Sequence, residues 1–306
     1  MPGLMLLASN NGSGRIAPER ADLRQDMSRD TFASILEWIM REPPEEEPGI
    51  CFVDPRWDDE FAWMAKRARD SSIKASVLTN TATNDALASA EQLKGLGVEW
   101  RIDVTRASRG QGFLEQLLPV LGNDALLVIE LPAQQIAREW LADMICEYGL
   151  RRKLAVALHS ALSGKHEHLS EKDYSAVAET VLELARFSSR FDISLEYGCG
   201  IPWCMFTSEQ LGELWRLNSE FFSQCDSDLI VTHDGQISYC PLLCDFCTKT
   251  YADYPSYHKA KEWFERHLAN YRLLGTTCEC ISCDLNSLGP CRGGCLGQAL
   301  ATAKNL

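Results

Sequence analysis

Short apolar segments alternate with amphipathic segments through the first two-thirds of the sequence. The apolar segments read as strands over residues 4–8, 50–53, 75–79, 98–104, 125–131, 154–158 and 193–195. Helical spacing fills the intervals at residues 28–40, 58–69, 85–96, 112–121, 134–148 and 171–187, with Ser28 or Asp30 expected to cap the first helix. Strands that alternate with helices make right-handed crossovers and therefore a parallel sheet. Six or seven such units predict an α/β fold, a partial TIM-like (β/α)6 barrel, with its chemistry at the carboxyl ends of the strands.

Charge and hydropathy exclude several classes of protein. The chain has 306 residues and a formal net charge of −13, which argues against a nucleic-acid groove because phosphate binding needs clustered lysine and arginine. No apolar run approaches the roughly 18 residues that a membrane-spanning helix needs. The opening MPGLMLLAS lacks the basic flank and cleavage site of a signal peptide, so we expect it to be the first strand of a cytoplasmic protein.

The cysteines are concentrated in the last third of the chain. Of 13 cysteines, only Cys51 and Cys146 lie in the first 198 residues, and we expect both to be ordinary buried residues. The others lie between Cys199 and Cys295. Without an export signal the expected compartment is reducing, where clustered cysteines favour metal binding over disulfides.

The spacing of the later cysteines forms a specific pattern. It runs Cys-x9-Gly-x4-Cys, then a predicted amphipathic helix at residues 257–273, then Cys-x2-Cys-x7-Cys-x3-Cys. Its members are Cys225, Gly235, Cys240, Cys280, Cys283, Cys291 and Cys295. This pattern, with the Gly-Gly of CRGGC, resembles the SPASM domain, the C-terminal extension of many radical S-adenosylmethionine (SAM) enzymes. The resemblance implies a radical SAM-like partial barrel at residues 1–198 and a SPASM-like iron–sulfur domain at residues 199–306.

The resemblance also implies ligands for two auxiliary [4Fe-4S] clusters. The first cluster would be held by Cys204, Cys225, Cys240 and Cys295. The second would be held by Cys280, Cys283 and Cys291. Two departures concern the second set: the family's five-residue spacer is seven residues here, and the family's last cysteine has no counterpart. The fourth position would therefore be Cys244, Cys247 or Cys278, or an open iron.

A zinc site is the simpler alternative for these cysteines. Cys244-x2-Cys247 and Cys280-x2-Cys283 have the spacing of a four-cysteine zinc site. Such a site would leave the other cysteines of the pattern without a role, so the sequence favours iron–sulfur clusters.

The catalytic motifs of the family have no counterpart in this sequence. Asn11, Arg15 and Pro18 align with the three cysteines that bind the catalytic cluster, and none of the three can ligate iron. The SAM-binding Gly-Gly-Glu-Pro is here FVDP, in which Phe52 is expected to place a side chain near the ligand position. The resemblance therefore implies a degenerate member that binds no SAM.

Several polar residues follow the predicted strands. Asp103, Glu130, His159 and Glu196 are expected at the barrel mouth, either as acid, base or substrate ligands or as satisfied mouth residues. His166 and His168 could bind a metal, although a solvated loop also accounts for them.

Three functions are compatible with these residues. The first is a non-catalytic iron–sulfur protein, a pseudoenzyme that transfers electrons or binds peptide for a catalytic radical SAM subunit. Peptides are the implied substrate class, because family members with this tail mostly modify peptides and proteins. The second is a self-sufficient iron–sulfur enzyme that uses an open iron of the second auxiliary cluster. The third is a structural zinc protein.

Overall fold

The strands and helices are taken from a computed structural model. It describes residues 3–7, 27–41, 49–53, 55–79, 84–105, 114–131, 138–158, 171–198, 200–217, 225, 229–244, 246–272, 274–289 and 291–304. The strands are β1 Gly3–Leu7, β2 Gly49–Val53, β3 Lys74–Thr79, β4 Glu99–Asp103, β5 Ala125–Glu130, β6 Lys153–Ala157, β7 Ser194–Tyr197, β8 Leu229–Thr232, β9 Gln236–Ser238 and β10 Lys249–Thr250. The helices are α1 Arg29–Met40, α2 Asp59–Asp70, α3 Asn84–Leu93, α4 Leu114–Leu121, α5 Arg138–Glu147, α6 Tyr174–Phe191, α7 Ser208–Leu217, α8 Tyr257–Arg272, α9 Asp284–Ser287 and α10 Leu296–Lys304.

All ten strands belong to one sheet, in the order β10-β9-β8-β1-β2-β3-β4-β5-β6-β7. Strands β1 to β7 pair in parallel with their sequence neighbours, as the alternation of strands and helices predicts. The predicted α/β class is therefore confirmed. The edges of the sheet are β7 and β10, so the described strands form an open sheet and not a closed barrel.

The first helix shows why these segments are helical. The hydroxyl of Ser28 accepts a hydrogen bond from the backbone N–H of Thr31 at 3.1 Å, so Ser28 and not Asp30 is the N-cap. Phe32, Ile35 and Ile39 follow at helical spacing and are buried. The polar residues between them, Ser34 and Glu37, are exposed to solvent. The helix therefore has one apolar face, which packs in the main core.

The two faces of the sheet carry different cores. One face packs against the helices and contains the main core, to which Leu127 and Ile129 of β5 belong. The opposite face, called the inner face below, carries a smaller core of strand residues: Val53, Leu78, Leu126, Val128, Ala155 and Ile230. All six residues of β5 are buried, as expected for a central parallel strand covered on both faces.

The cysteine-rich segment continues the same sheet. β8 pairs in parallel with β1, and β9 returns antiparallel beside β8. Gly235 lies at the turn between them with φ of +78°, and a Cβ there would lie 2.9 Å from the ring of Tyr251. The indole of Trp38 in α1 donates a hydrogen bond to the carbonyl of Tyr254 at 3.0 Å. The division at residues 198 and 199 is thus a proposed functional boundary within one continuous sheet.

Two further expectations concern exposure and membranes. Cys51 is half-buried beside the inner core, whereas Cys146 is exposed on α5, so the prediction that Cys146 is buried is wrong. A residue on the outer face of an amphipathic helix is exposed to solvent even when its side chain is apolar.

Among the described residues, no helix has the length and apolar character needed to cross a membrane.

Candidate metal centres

Two buried carboxylates end adjacent strands on the inner face. Asp103 closes β4 and Glu130 closes β5, and both side chains are buried. Asp103 accepts a hydrogen bond from the N–H of Thr105 at 2.9 Å, and the Thr105 hydroxyl accepts one from the N–H of Glu130 at 2.6 Å. This shared turn fixes both acids at the carboxyl ends of the strands, where the sequence predicts them.

Glu196 lies elsewhere. Its carboxylate pairs with Arg101, at 3.2 Å, and with Lys153, the first residue of β6. Arg101 also pairs with Glu99, the first residue of β4, at 2.7 Å. Glu196 therefore belongs to an ion-pair network toward the amino ends of the strands, and its predicted position at the mouth is wrong. The register that sets Glu196 opposite Ala155, in the middle of β6, explains the difference.

This network also sets the charge state of Glu196. Burial alone would raise the pKa of the Glu196 carboxyl, but Arg101 and Lys153 outweigh it and hold that pKa below its usual value. A carboxylate with a depressed pKa stabilises the folded state above its unfolded pKa. That contribution is lost as the pH falls through the folded pKa.

Replacing Arg101 with methionine should therefore destabilise the fold at neutral pH. Removing one partner of this partly buried charge network leaves Glu196 with Lys153 alone and Glu99 with Arg151 alone, at an expected cost of about 1–3 kcal/mol. The matched control is Arg186→Met, because Arg186 pairs with Glu213 on an exposed surface and should matter little. Urea unfolding at pH 7 and near pH 3 provides the measurement. The difference between the two variants should narrow at the lower pH, and equal stabilities at pH 7 would contradict the prediction.

Several sequence-predicted residues lie outside the described part of the chain. They are Asn11, Arg15, Pro18, His159, His166 and His168, together with the side chain of Cys278. Phe52 is described, and its ring packs against Phe61 and Phe32, with centroids 5.3 and 6.0 Å away. Because neighbouring strand residues alternate, the side chain of Phe52 faces the helices and belongs to the main core.

The first cysteine group comprises Cys225, Cys240 and Cys295, with Cys244 and Cys247 close by in sequence. Cys240 and Cys295 are buried in the main core, and Cys225 and Cys247 pack against it. The guanidinium of Arg272 donates to the carbonyl of Cys225 and to the hydroxyl of Tyr239, both at 2.7 Å. Arg272 thus holds Cys225 beside the residue that precedes Cys240.

A compact turn connects Cys240 to Cys247. The N–H of Leu243 donates to the carbonyl of Cys240 at 3.0 Å, and the N–H of Cys247 donates to the carbonyl of Leu243 at 2.9 Å. The carbonyl of Cys240 also lies 3.7 Å from the thiol of Cys244. Burial raises the pKa of the Cys247 thiol. The turn therefore presents two additional thiols next to Cys240.

Helix α10 brings Cys295 to this turn. The carbonyl of Cys295 accepts a hydrogen bond from the N–H of Ala299 at 3.0 Å, so Cys295 is the residue directly before the helix. Two residues later, Gly297 lies against Leu242, and a Cβ on Gly297 would be 2.5 Å from the Leu242 Cβ. Only glycine permits this contact, which brings the two ends of the first cysteine group together.

The second cysteine group comprises Cys280, Cys283 and Cys291. Cys280 and Cys291 are buried, and Cys283 is half-buried. The N–H of Cys283 donates to the carbonyl of Cys280 at 3.3 Å, and that of Cys291 donates to the carbonyl of Leu285 at 3.0 Å. The thiol of Cys280 lies 3.4 Å from the hydroxyl of Thr277. These bonds form a short loop with three thiols.

Cys204 lies within electrostatic reach of the second cysteine group. The residue is accessible at the surface, but the protein packed around its thiol disfavours the thiolate and, with charge on Cys280, Cys291 and Cys283, raises the pKa of Cys204 to about 11. The pKa of Tyr174 is also raised, first by burial and then by charge on neighbours that include Cys204 and Cys280. The family resemblance had placed Cys204 in the first cluster.

The cysteines with described side chains are thiols, the ligand type that iron–sulfur clusters and structural zinc both use. None of the eleven cysteines with described side chains forms a disulfide. Within the described residues, no group of three or more His, Cys, Asp or Glu side chains converges closely enough to bind one metal ion. A zinc ion needs all its sulfurs at about 2.3 Å from one centre. A [4Fe-4S] cluster binds each thiolate at a different iron, so its ligand sulfurs lie further apart.

The fold is similar to that of solved structures of a bacterial protein, SuiB. One match is the crystal structure of Streptococcus suis SuiB bound to S-adenosylmethionine, with a TM-score of 0.58 and 11% identity over 96% of this chain and 72% of that chain. Another is SuiB bound to the precursor peptide SuiA, with a TM-score of 0.57 and 12% identity over 96% of this chain and 71% of that chain. No family model matches the sequence, and no curated protein matches it.

Proposed function

We propose that this protein is a non-catalytic iron–sulfur partner of a catalytic radical SAM protein that modifies a peptide. One or two [4Fe-4S] clusters in the cysteine groups would transfer electrons or help to hold the peptide. The observation that supports the proposal is the burial of the late cysteines Cys240, Cys280, Cys291 and Cys295, on a fold like that of a protein that binds SAM and a precursor peptide.

The absence of catalytic ligands in the sequence supports a partner role. Asn11, Arg15 and Pro18 supply no thiolate at the positions aligned with the catalytic cluster. An iron that lacks protein thiolates there has nothing to hold it while it chelates SAM. The auxiliary cysteines are retained, which suits a protein whose clusters serve a reaction elsewhere. We expect it to act in the reducing cytoplasm, where such thiols persist.

The protein's own residues would protect and tune such clusters. Bound clusters supply one-electron transfer, at potentials set by hydrogen bonds and solvent exposure. The first cysteine group lies in the main core, which keeps water from its sulfurs. Arg272 fixes the chain at Cys225, and the Thr277 hydroxyl is placed to bond the sulfur of Cys280. These contacts hold the ligands in place before metal arrives.

The chain alone should bind iron but not cleave SAM. After anaerobic reconstitution we expect about eight irons per chain, two [4Fe-4S] clusters, if both groups are complete. With SAM and a reductant it should release no 5′-deoxyadenosine above a no-protein control. The assay is then repeated with a complete radical SAM protein encoded beside it, whose peptide modification should increase.

Two results would overturn this function. Release of 5′-deoxyadenosine by the isolated chain would make it a SAM-cleaving enzyme. Stoichiometric zinc, with no iron or sulfide after anaerobic purification, would establish the structural alternative instead.

A further inference from the structure

We propose that Cys204 completes the second cysteine group, so that four thiolates, Cys204, Cys280, Cys283 and Cys291, surround one cluster. The first group would then be completed from its own turn, by Cys244 or Cys247. This assignment rests on the proposed function, because it distributes ligands between clusters. It departs from the family-based assignment, which gives Cys204 to the first cluster.

The backbone around Cys204 is fixed against the loop of the second group. Cys204 lies in a short 3₁₀ turn, Trp203–Met205, in which the N–H of Met205 donates to the carbonyl of Pro202 at 3.2 Å. The ring of Pro202 rests on Gly294, where a Cβ would lie 2.9 Å from the Pro202 Cδ. This contact places the turn against the Gly293-Gly294 pair, between Cys291 of the second group and Cys295 of the first.

The same loop is fixed on the side of Cys280. A Cβ on Gly275 would lie 2.2 Å from the Cβ of Cys280, and a Cβ on Gly293 would lie 2.7 Å from the Cα of Gly275. Gly275, Gly293 and Gly294 all have positive φ, which side chains rarely adopt. The Cys280 and Cys291 ends of the loop are thereby pressed together, beside the turn that carries Cys204.

The start of α6 links Cys204 to Cys280. The hydroxyl of Tyr174 donates to that of Thr276 at 3.4 Å, and the next residue, Thr277, contacts the Cys280 thiol. Helix α6, which begins at Tyr174, also packs against the 3₁₀ turn that contains Cys204. Tyr174 is buried where these segments meet.

The indole N–H of Trp203, next to Cys204 in the chain, is a buried donor that a cluster sulfur could accept from. Within the described structure, the indole N–H of Trp203 is buried without a hydrogen-bond acceptor. Buried N–H groups in native proteins nearly always have a partner, so this one needs an explanation. A sulfide or cysteine sulfur of a bound cluster would provide an acceptor.

The test uses serine variants of the reconstituted full chain. Serine retains a ligating oxygen and nearly the size of cysteine, so the fold is preserved. Cys204→Ser, Cys283→Ser and Cys225→Ser are compared by EPR-monitored redox titration, with Cys146→Ser as the exposed control. Cys204→Ser should alter the same cluster signal as Cys283→Ser and leave the signal altered by Cys225→Ser unchanged.

Three outcomes decide the assignment. If Cys204→Ser alters the signal that Cys225→Ser alters, or alters none, Cys204 is not a ligand of the second group. If the unmodified chain gives no iron–sulfur signal at all, the proposed function fails, and the ligand assignment fails with it. If Cys204→Ser alters only the EPR signal that Cys283→Ser also alters, the result supports both the proposed function and the ligand assignment.

A second measurement needs no variant. The loaded chain is treated with a chelator in steps, and newly exposed thiols are alkylated and located by mass spectrometry. Cys204 should become reactive together with Cys280, Cys283 and Cys291. Exposure in step with Cys225 and Cys240 would overturn the assignment.

Discussion

Replacing Cys295 with alanine should make residues 229–304 sensitive to protease and lower the iron content of the chain. Cys295 is buried, directly precedes α10 and lies in the main core. A cluster that joins it to Cys225 and Cys240 closes a long loop, and such a site does not exist in the unfolded chain. Binding free energy therefore becomes folding free energy. Limited proteolysis of the anaerobic protein, alongside iron analysis, gives the measurement.

Alanine variants of three other cysteines serve as comparisons for Cys295→Ala. Cys240→Ala should behave like Cys295→Ala, because both thiols belong to the first cysteine group. Cys146→Ala should change neither protection nor iron, since Cys146 is exposed. Cys51→Ala should cost no more than an ordinary core substitution, about 1–3 kcal/mol. Full iron and a protected tail in Cys295→Ala would remove Cys295 from the first group.

The second large effect is expected at Gly275. In Gly275→Ala the new Cβ would lie 2.2 Å from the Cys280 Cβ, so the backbone carrying Cys280 must move. Gly95→Ala is the control, because Gly95 also has positive φ but no atom within 4 Å of its Cβ position. Both variants bear the left-handed strain of about 1–2 kcal/mol. Gly275→Ala should cost at least about 2 kcal/mol more, from overpacking.

The number of irons bound per chain tests the same two glycine variants independently of their stability. Displacing Cys280 should empty the second cysteine group, so Gly275→Ala should retain about four irons, one [4Fe-4S] cluster, where Gly95→Ala retains both. Denaturant unfolding and iron analysis of both proteins give the comparison. Equal stability and equal iron would mean that the Cys280 loop adapts freely, against the packing described above.

The sequence predicts most of the sheet because its signals are local. Each of the seven predicted strands overlaps an observed strand, and the helices preceding α7 follow from apolar spacing. Helices α7, α9 and α10 are absent from the sequence-based predictions. In α7 only Leu214 is buried, and α10 is positioned by the contact of Gly297 with Leu242. Leu211, Leu214 and Trp215 do have helical spacing, so α7 could have been predicted from the sequence.

The cysteines could be chosen from their spacing, but their grouping could not. Spacing fixes that Cys280 and Cys283 share a loop, because they are neighbours in the chain. The position of Cys204 depends on the contact of Pro202 with Gly294, which joins distant segments. The position of Glu196 along the sheet could not be predicted either, because it follows from the register in which β7 pairs with β6. Such contacts depend on the tertiary fold.

The pairing of β1 with β8 ties the beginning of the chain to its cysteine-rich part. One edge of β1 is covered by β2, but the other stays open until residues 229–232 have been synthesised. An open edge strand can recruit another chain, so nascent or shortened molecules should be prone to aggregate. Contacts between such distant segments also slow folding. We therefore expect residues 1–198 to aggregate when they are expressed alone, even though strands β1 to β7 all lie within them.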